Sequence, residues 1–411
     1  MRYGLIGCPL GHSFSKEIHE SLKRYPYELK ELQPDELETF LHHGGFLGLN
    51  VTIPYKQSVI PYLDGISTRA KAIGAVNTII NRDGHLYGDN TDFDGMRLAL
   101  TKAGIQLKGK KVLILGTGGT SRTAGAVARS LGAKEIYRVS RSGRDGAVTY
   151  EQAYERHPDA GVVINTTPCG MYPNEDACPA ELDRFSNLTG VFDAVYRPLR
   201  TMLTESAKER GIPSDTGLYM LVAQAVRAAE LFTKEAFPVS VIDKIYAETL
   251  KKKRNLVLIG MPGVGKTRVG TRLAELLRKP FFDSDRVITE RIGMPIADFF
   301  AANGEDAFRK IESEVLKELS RESGIVLSTG GGAVLREENV RALRANGQLL
   351  FLDRPVDELK TSSDRPLSSD REKVRKLFEV RYPIYLAACD RRIRSGRNAN
   401  ETAHMILEEL I

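Results

Sequence analysis

The sequence predicts an α/β protein with parallel sheets, arranged as two separate nucleotide-binding units. Three observations carry that reading. Short β-branched runs alternate with amphipathic stretches along the 411-residue chain, the pattern of buried strands joined by covering helices. Two glycine-rich loops, one at Gly116 and one at Gly260, each directly follow such a run. Each would open its own sheet, because a phosphate-binding turn lies between a buried strand and the start of a helix.

The buried strands are placed at residues 111–115, 135–139, 161–165, 255–259, 324–328 and 348–352. Helices are expected behind the loops, at 120–130 and 268–277. Between the units, residues 225–250 read as helical and end in the run Lys251-Lys252-Lys253-Arg254, taken as the junction. The second unit therefore starts near Asn255. No repeat of fixed period and no low-complexity segment interrupts this order.

Bulk properties exclude several classes. Hydrophobic residues are 42% and charged residues 27%, an ordinary globular balance. Lys and Arg number 59 against 53 Asp and Glu, a net +6; so small a surplus argues against a nucleic-acid partner and suits acidic, phosphorylated ligands. Cys8, Cys169, Cys178 and Cys389 form no CxxC pair and fit neither a zinc site nor a disulfide framework. The N-terminal MRYGLIGCPLGHS breaks its apolar run with Gly and Pro, unlike a signal peptide. No segment reaches the ~20 apolar residues that span a bilayer. The expectation is a cytoplasmic protein with no membrane partner.

In KVLILGTGGTSR, Gly116, Gly118 and Gly119 permit a tight turn and close approach of backbone N–H groups to a pyrophosphate. An NAD site would carry an acid at the end of the next strand to bind the ribose 2′-hydroxyl. Here Ser140, Arg141, Ser142 and Arg144 occupy that place, and no acid appears before Asp145. Guanidinium and hydroxyl groups suit a 2′-phosphate, so NADP is favoured; the alternative is that both arginines are solvated loop charges.

Ahead of this loop lie three polar clusters: Ser13 and Ser15 in GHSFS; Asn50, Thr52 and Lys56 in NVTIPYK; and Asn77 in GAVNT with Asp89, Asn90 and Asp92 in GDNTD. Singly each is turn chemistry. Together they supply the hydroxyl, amide, ammonium and carboxylate groups that orient a polyhydroxylated acid.

With NTTPCGM and LVAQA following in order, residues 1 to about 250 resemble shikimate dehydrogenase. The resemblance implies that Ser13, Ser15, Asn77, Asp92 and Gln224 hold shikimate, that Thr52 assists, and that Tyr196 in DAVYRP lies near the substrate. It makes Lys56 and Asp92 the catalytic pair. Reduction of the ketone of 3-dehydroshikimate needs a proton for oxygen as hydride reaches carbon, and Lys56 is the natural donor with Asp92 holding it in place; which of the two exchanges the proton stays open. The resemblance further implies a substrate lobe at 1–96, completed by 216–250, and a Rossmann-type NADP lobe at 97–215. Two departures stand out: Arg144 is offset by one position beside Asp145, and Tyr219 replaces a small residue near the nicotinamide.

In the second unit Gly260-Met261-Pro262-Gly263-Val264-Gly265-Lys266-Thr267 satisfies GxxxxGK[ST] between strand and helix. Backbone amides around Gly263 and Gly265 would cradle phosphates, Lys266 would reach the β- and γ-phosphates of ATP, and Thr267 would bind Mg²⁺. FFDSD, GEDAFRKIE, STGGGAV, DRPL and RYPIY follow, and residues 255–411 resemble shikimate kinase. By that resemblance Asp285, Arg309, Gly331, Gly332 and Arg381 contact shikimate, Asp285 acts on the 3-hydroxyl, Asp283 supports the metal, and Arg365 closes over the phosphates. A plainer reading of DSD is a helix cap at Asp285. Lys360 stands where many relatives carry an arginine that packs on adenine, and Ala399 where they carry a proline. The joint expectation is a fusion of consecutive steps; the alternatives are a quinate-tolerant dehydrogenase, or a chain in which only the first half works.

Overall fold

Short runs of two to seven residues, most of them buried, form the strands that order the chain, and glycine closes several of them, as at Gly7, Gly116 and Gly260. The computed structural model describes residues 1–11, 13–359 and 371–410. The chain divides into two compact units, Met1–Thr249 and Leu250–Ile411.

The first unit begins with β1 (Tyr3–Gly7), α1 (Ser15–Ser21), β2 (Glu28–Glu31), α2 (Leu37–His43), β3 (Gly48–Val51), β4 (Gly65–Ile66), α3 (Thr68–Ile73), β5 (Thr78–Arg82), β6 (His85–Asp89) and α4 (Asp92–Lys102). Its strands form one sheet in the order β2-β1-β3-β5-β6-β4. This sheet, in which the sequence reading placed no strand, is mixed: β5 runs antiparallel to both β3 and β6. The reason is the Asp83-Gly84 turn, with φ 54° and 91°, an Asp-Gly hairpin signal too short for a crossover helix. Ile6, Leu49, Val51 and Ile79 fill the core beneath it.

The second sheet of this unit comprises β7 (Lys111–Leu115), β8 (Glu135–Val139), β9 (Val162–Asn165), β10 (Gly190–Asp193) and β11 (Ser214–Thr216), with α5 (Gly119–Ser130), α6 (Tyr150–Arg156) and α7 (Met202–Glu209) between them. The order β11-β10-β9-β7-β8 is wholly parallel. Strand order reverses at β7, so the crevice beyond its carboxyl end is where such sheets bind ligands, and Gly116 stands there.

The stretch read as one helix over 225–250 is two, α8 (Leu218–Thr233) and α9 (Val239–Lys253). Lys234 ends α8 in the left-handed conformation at φ 62°, and Pro238 cannot continue a helix. α8 packs on α1 and α4. Lys251 to Lys253, read as a junction, form the last turn of α9, where positive charge meets the negative end of the helix dipole. Lys279 caps that end, donating to the carbonyl oxygens of Lys251, Lys252 and Arg254.

The second unit runs β12 (Asn255–Ile259), α10 (Lys266–Leu277), β13 (Phe281–Asp283), α11 (Ser284–Ile292), α12 (Ile296–Ser320), β14 (Val326–Ser328), α13 (Glu337–Asn346), β15 (Gly347–Asp353), α14 (Arg371–Ala388), β16 (Arg391–Arg394) and α15 (Ala399–Glu409). Its parallel sheet has the order β13-β14-β12-β15-β16. Leu258, Leu327, Leu349 and Phe351 pack with Leu273 and Val315 in its core. Gly304, at φ 80°, kinks α12. Among the described residues no helix is long and apolar enough to cross a membrane.

Candidate active sites

Asp92 opens α4, and Lys56 lies in the turn after β3, anchored where its carbonyl accepts the Val76 N–H at 2.7 Å. Lys56 Nζ donates to Asp92 Oδ2 at 2.6 Å, with side chains only 16% and 9% exposed. So short a charge-assisted bond in a mostly dehydrated place fixes the ammonium firmly. Asn77 accepts the Thr91 N–H at 2.7 Å and donates to Thr91 Oγ1 and to Gln224 Oε1 at 3.4 Å. Gln224 reaches this network because Gly95 lets α4 and α8 touch: a Cβ there would lie 2.6 Å from the Met220 carbonyl. Asn50, also buried, donates to the Asn77 carbonyl and accepts from Tyr27.

The serine turn is built separately. Ser15 is buried, and its N–H donates to Ser13 Oγ at 3.2 Å. Phe14 packs on Tyr196 with ring centroids 5.4 Å apart, which brings Tyr196 beside these serines. Burial pushes its phenol upward, against the pull of Arg197. Thr52 lies close over Gly7, where a Cβ would come within 2.4 Å of its methyl group.

Sequence reasoning missed Arg69, on α3. Its guanidinium donates to both oxygens of Asp89 and to Asp94 Oδ2 at 2.7 Å, and its Cζ stands 5.6 Å from the centre of the Phe93 ring. Arg69 thus grips the chain on either side of Asp92. The available signal was chemical: two carboxylates flanking a third on a half-buried turn require a cation.

Gly116 has φ 108°, and a Cβ on it would meet Thr166 Oγ1 at 2.9 Å. A Cβ on Gly118 would meet nothing within 4 Å, so open space fronts the start of α5; one on Gly119 would face Lys56 Cδ at 3.7 Å. The helix N-terminus that suits a pyrophosphate therefore adjoins Lys56. Beyond β8, Ser140 Oγ accepts the Gly143 N–H and Ser142 Oγ the Arg144 N–H, so the serines shape the turn while Arg141 and Arg144 are exposed. That donor set fits a 2′-phosphate. Tyr219 does not enter the cleft: it is 2% exposed, its hydroxyl donates to Asp243, and its ring packs edge-on against Tyr246 of α9.

In the second unit Gly260, Gly263 and Gly265 have φ of 142°, 83° and 101°, values that exclude most side chains. Lys266 is buried and donates to the carbonyls of Gly260 and Met261. Thr267 Oγ1 donates to Asp283 Oδ2 at 2.7 Å, so a hydroxyl and a carboxylate stand together, oxygen groups of the kind that could help hold a hard cation. The helix cap is Asp283, not Asp285: Asp283 Oδ1 accepts the Asp285 N–H, and Asp285 sits within the first turn of α11.

Three glycines after β14 each make room for a different group. A Cβ on Gly330 would lie 2.6 Å from Asp285 Oδ1, one on Gly331 2.8 Å from Pro262, and one on Gly332 2.1 Å from Arg309 Nη1. Arg381 and Tyr385 both donate to the Gly331 carbonyl. Arg309 pairs with Glu312 at 2.6 Å and Glu305 at 3.0 Å; burial opposes its charge, and these carboxylates outweigh burial. Glu312, unpredicted, is almost fully enclosed, and burial pushes its carboxyl up against the pull of Arg309. A cavity of about 1160 Å³ joins the P-loop, Asp283, Asp285, Arg309 and Arg381, roomy for more than one small molecule. Arg365 and Lys360 fall outside the described residues.

Fold and sites define the class: a two-lobed dinucleotide-dependent oxidoreductase joined to a P-loop phosphotransferase. Comparison with known proteins makes this specific. The shikimate dehydrogenase substrate binding domain matches residues 5–79, and the shikimate kinase family matches 262–411. The NADP(+) shikimate dehydrogenase of Clostridium perfringens (strain SM101 / Type A) is 37% identical over 264 residues, 60% of this chain and 97% of the relative. Shikimate dehydrogenase 1 from Peptoclostridium difficile superposes with a TM-score of 0.56 at 35% identity, over 60% of this chain and 97% of that one. A chorismate mutase/shikimate 5-dehydrogenase fusion protein from Clostridium acetobutylicum does so with 0.56 at 33% identity, over 60% and 96%. The chain belongs to the shikimate dehydrogenase family and carries a shikimate kinase domain after it.

Proposed function

We propose that residues 1–249 reduce 3-dehydroshikimate to shikimate with NADPH, and that residues 250–411 transfer the γ-phosphoryl group of ATP to the shikimate 3-hydroxyl. The observation that carries the first half is the Lys56–Asp92 bond of 2.6 Å set against Gly119. NADPH would supply hydride. Lys56 would give its proton to the developing alkoxide while Asp92 fixes the ammonium. Asn77, Gln224, Ser13, Ser15 and Tyr196, with Thr52, would orient the hydroxyls and carboxylate of the acid. Arg141 and Arg144 would select the 2′-phosphate, with Ser140 and Ser142 shaping their turn. The lobe on the six-stranded sheet would hold the acid and the lobe on the parallel sheet the dinucleotide.

In the second half Asp285 would accept or orient the 3-hydroxyl proton, Arg309 and Arg381 would clamp the carboxylate, and Lys266 would leave its two carbonyls for the phosphates. Mg²⁺, held through Thr267 and Asp283, would neutralise charge developing on the phosphates. The four cysteines, all unpaired, favour the reducing cytoplasm as the site of action. The test is a paired assay on one purified sample, measuring shikimate-dependent NADP⁺ reduction and shikimate-dependent ADP formation. Both are expected. Reduction without ADP formation would leave one working half, and the absence of both would overturn the proposal.

A further inference from the structure

We infer that Arg354 is the residue that covers the nucleobase in the second unit; this rests on reading that unit as an ATP site. The argument starts from the sheet order β13-β14-β12-β15-β16. The P-loop leaves the central strand β12, so the phosphates lie at the middle of the carboxyl edge. On one side, beyond β13 and β14, stand Asp285 and the glycines that receive Asp285 and Arg309. That side is taken by the phosphoryl acceptor. The nucleoside must leave the P-loop the other way, over the ends of β15 and β16. Arg354 directly follows β15, and residues 395–398 directly follow β16.

This end is rigid. The Ser395 N–H donates to the Asp353 carbonyl, the Gly396 N–H to Thr402 Oγ1, and the Arg397 N–H to Glu401 Oε2. Arg354 Nη2 donates to the Gly396 carbonyl at 2.8 Å, which ties the guanidinium across the gap between the two strand ends. Arg354, Arg397 and Asn398 line the same cavity as the P-loop. Among the described residues, Arg354 Nε and Ser395 Oγ are buried without a hydrogen-bond partner. Such uncompensated polar atoms are rare where only stability matters and gather where a ligand completes the site. A guanidinium tethered by that bond, on a half-buried residue, can offer a π-face to a purine ring. Asp353 pairs instead with Arg392, and among the described residues no carboxylate neutralises Arg354.

The experiment is calorimetry on the full-length chain with two probes, MgADP and inorganic tripolyphosphate. Arg354→Ala should weaken MgADP about 5- to 30-fold, equivalent to roughly 1–2 kcal/mol, and leave tripolyphosphate within about twofold. Arg354→Lys, which keeps the charge but not the plane, should recover less than half of the loss. Equal weakening of both probes would make Arg354 a phosphate contact, and unchanged MgADP binding would make it only a brace for Gly396; either result overturns the inference. Failure of the unmutated chain to bind either probe would overturn the ATP-site reading itself, and the inference with it.

Discussion

Lys56 Nζ donates to Asp92 Oδ2 across 36 residues of chain, at 2.6 Å. The bond joins the turn after β3 to the first turn of α4, so the ammonium is aimed by two elements rather than by its own flexible stem. Lys56→Ala should lower the rate of ketone reduction by roughly 10²- to 10⁴-fold, the usual contribution of a positioned acid. ADP formation should hardly change. Initial rates of both reactions on the same preparation decide the matter, and retention of most reductase activity would remove Lys56 from the mechanism.

Arg69 should act on that rate without touching substrate. It holds Asp89 and Asp94 around Asp92, and a misplacement near 1 Å can cost up to about 100-fold. Arg69→Met is therefore expected to lower kcat roughly tenfold with KM for shikimate changed less than about threefold. Arg69→Lys should restore part of kcat, because one ammonium can still bridge two carboxylates. A rise in KM with kcat intact would mean that Arg69 binds substrate.

The two arginines of the kinase site should respond differently, although both were expected to clamp one carboxylate. Arg381 donates to the Gly331 carbonyl, so Arg381→Ala should chiefly raise KM for shikimate, by about 10-fold or more, as a charged partner is lost. Arg309 is also the counter-ion of enclosed Glu312. Arg309→Ala leaves that carboxylate uncompensated, at a cost near 3–5 kcal/mol, and should lower the melting temperature of the second unit as well as weaken substrate. Adding Glu312→Gln should recover melting temperature but not KM. An effect of Arg381→Ala on ATP alone would move it to the nucleotide site.

Mg²⁺ should be required by one reaction only. Thr267 Oγ1 and Asp283 Oδ2 lie 2.7 Å apart, so Thr267→Val should raise the Mg²⁺ concentration needed for half-maximal ADP formation by about 10-fold or more. Chelation should stop ADP formation and spare NADP⁺ reduction. Equal inhibition of both activities by chelator would place a metal in the first unit and overturn this expectation.

Much of this architecture was legible because phosphate-binding turns constrain sequence tightly. Strands 111–115, 135–139 and 255–259 end where expected, since a glycine loop or charged turn closes each one. The mixed sheet was missed because Asp83-Gly84 is a two-residue signal inside a stretch read for its polar side chains. The lysine run adjoins the boundary between the units, at Thr249 and Leu250, but its helical form was not legible, because charge alone does not separate a linker from the last turn of a helix. Arg69 and Glu312 escaped for a deeper reason: each acts through ion pairs, and sequence shows a charged residue without showing what it faces. Tyr219 stood out as a departure from a small residue near the nicotinamide, and its side chain turns to α9 and Asp243.

The last expectation concerns acid stability. His19 closes the SKEIH segment, is fully buried, stacks on Tyr27 with centroids 3.9 Å apart, and shares a 2.8 Å hydrogen bond with Tyr25. Burial pushes its imidazole down to about 3, with a hydrogen bond to Asn50 opposing only in part. A base with a depressed folded value is neutral in the fold and charged in the unfolded chain below about pH 6.5. Its contribution is therefore complete above pH 6.5 and is lost progressively as pH falls from there to about 3. At pH 4 the loss should reach roughly 3 kcal/mol, at 1.36 kcal/mol per unit. His19→Phe keeps a ring against Tyr27 but cannot titrate. At pH 7 it should be less stable than the parent by about 1–2 kcal/mol, for want of the bond to Tyr25. On acidification the parent should lose that advantage and fall below the variant by pH 4. Urea unfolding followed by circular dichroism compares the two chains, and the second unit, common to both, cancels in the difference. A gap between parent and variant that stays constant from pH 7 to pH 4 would show that the folded state accepts a charged His19.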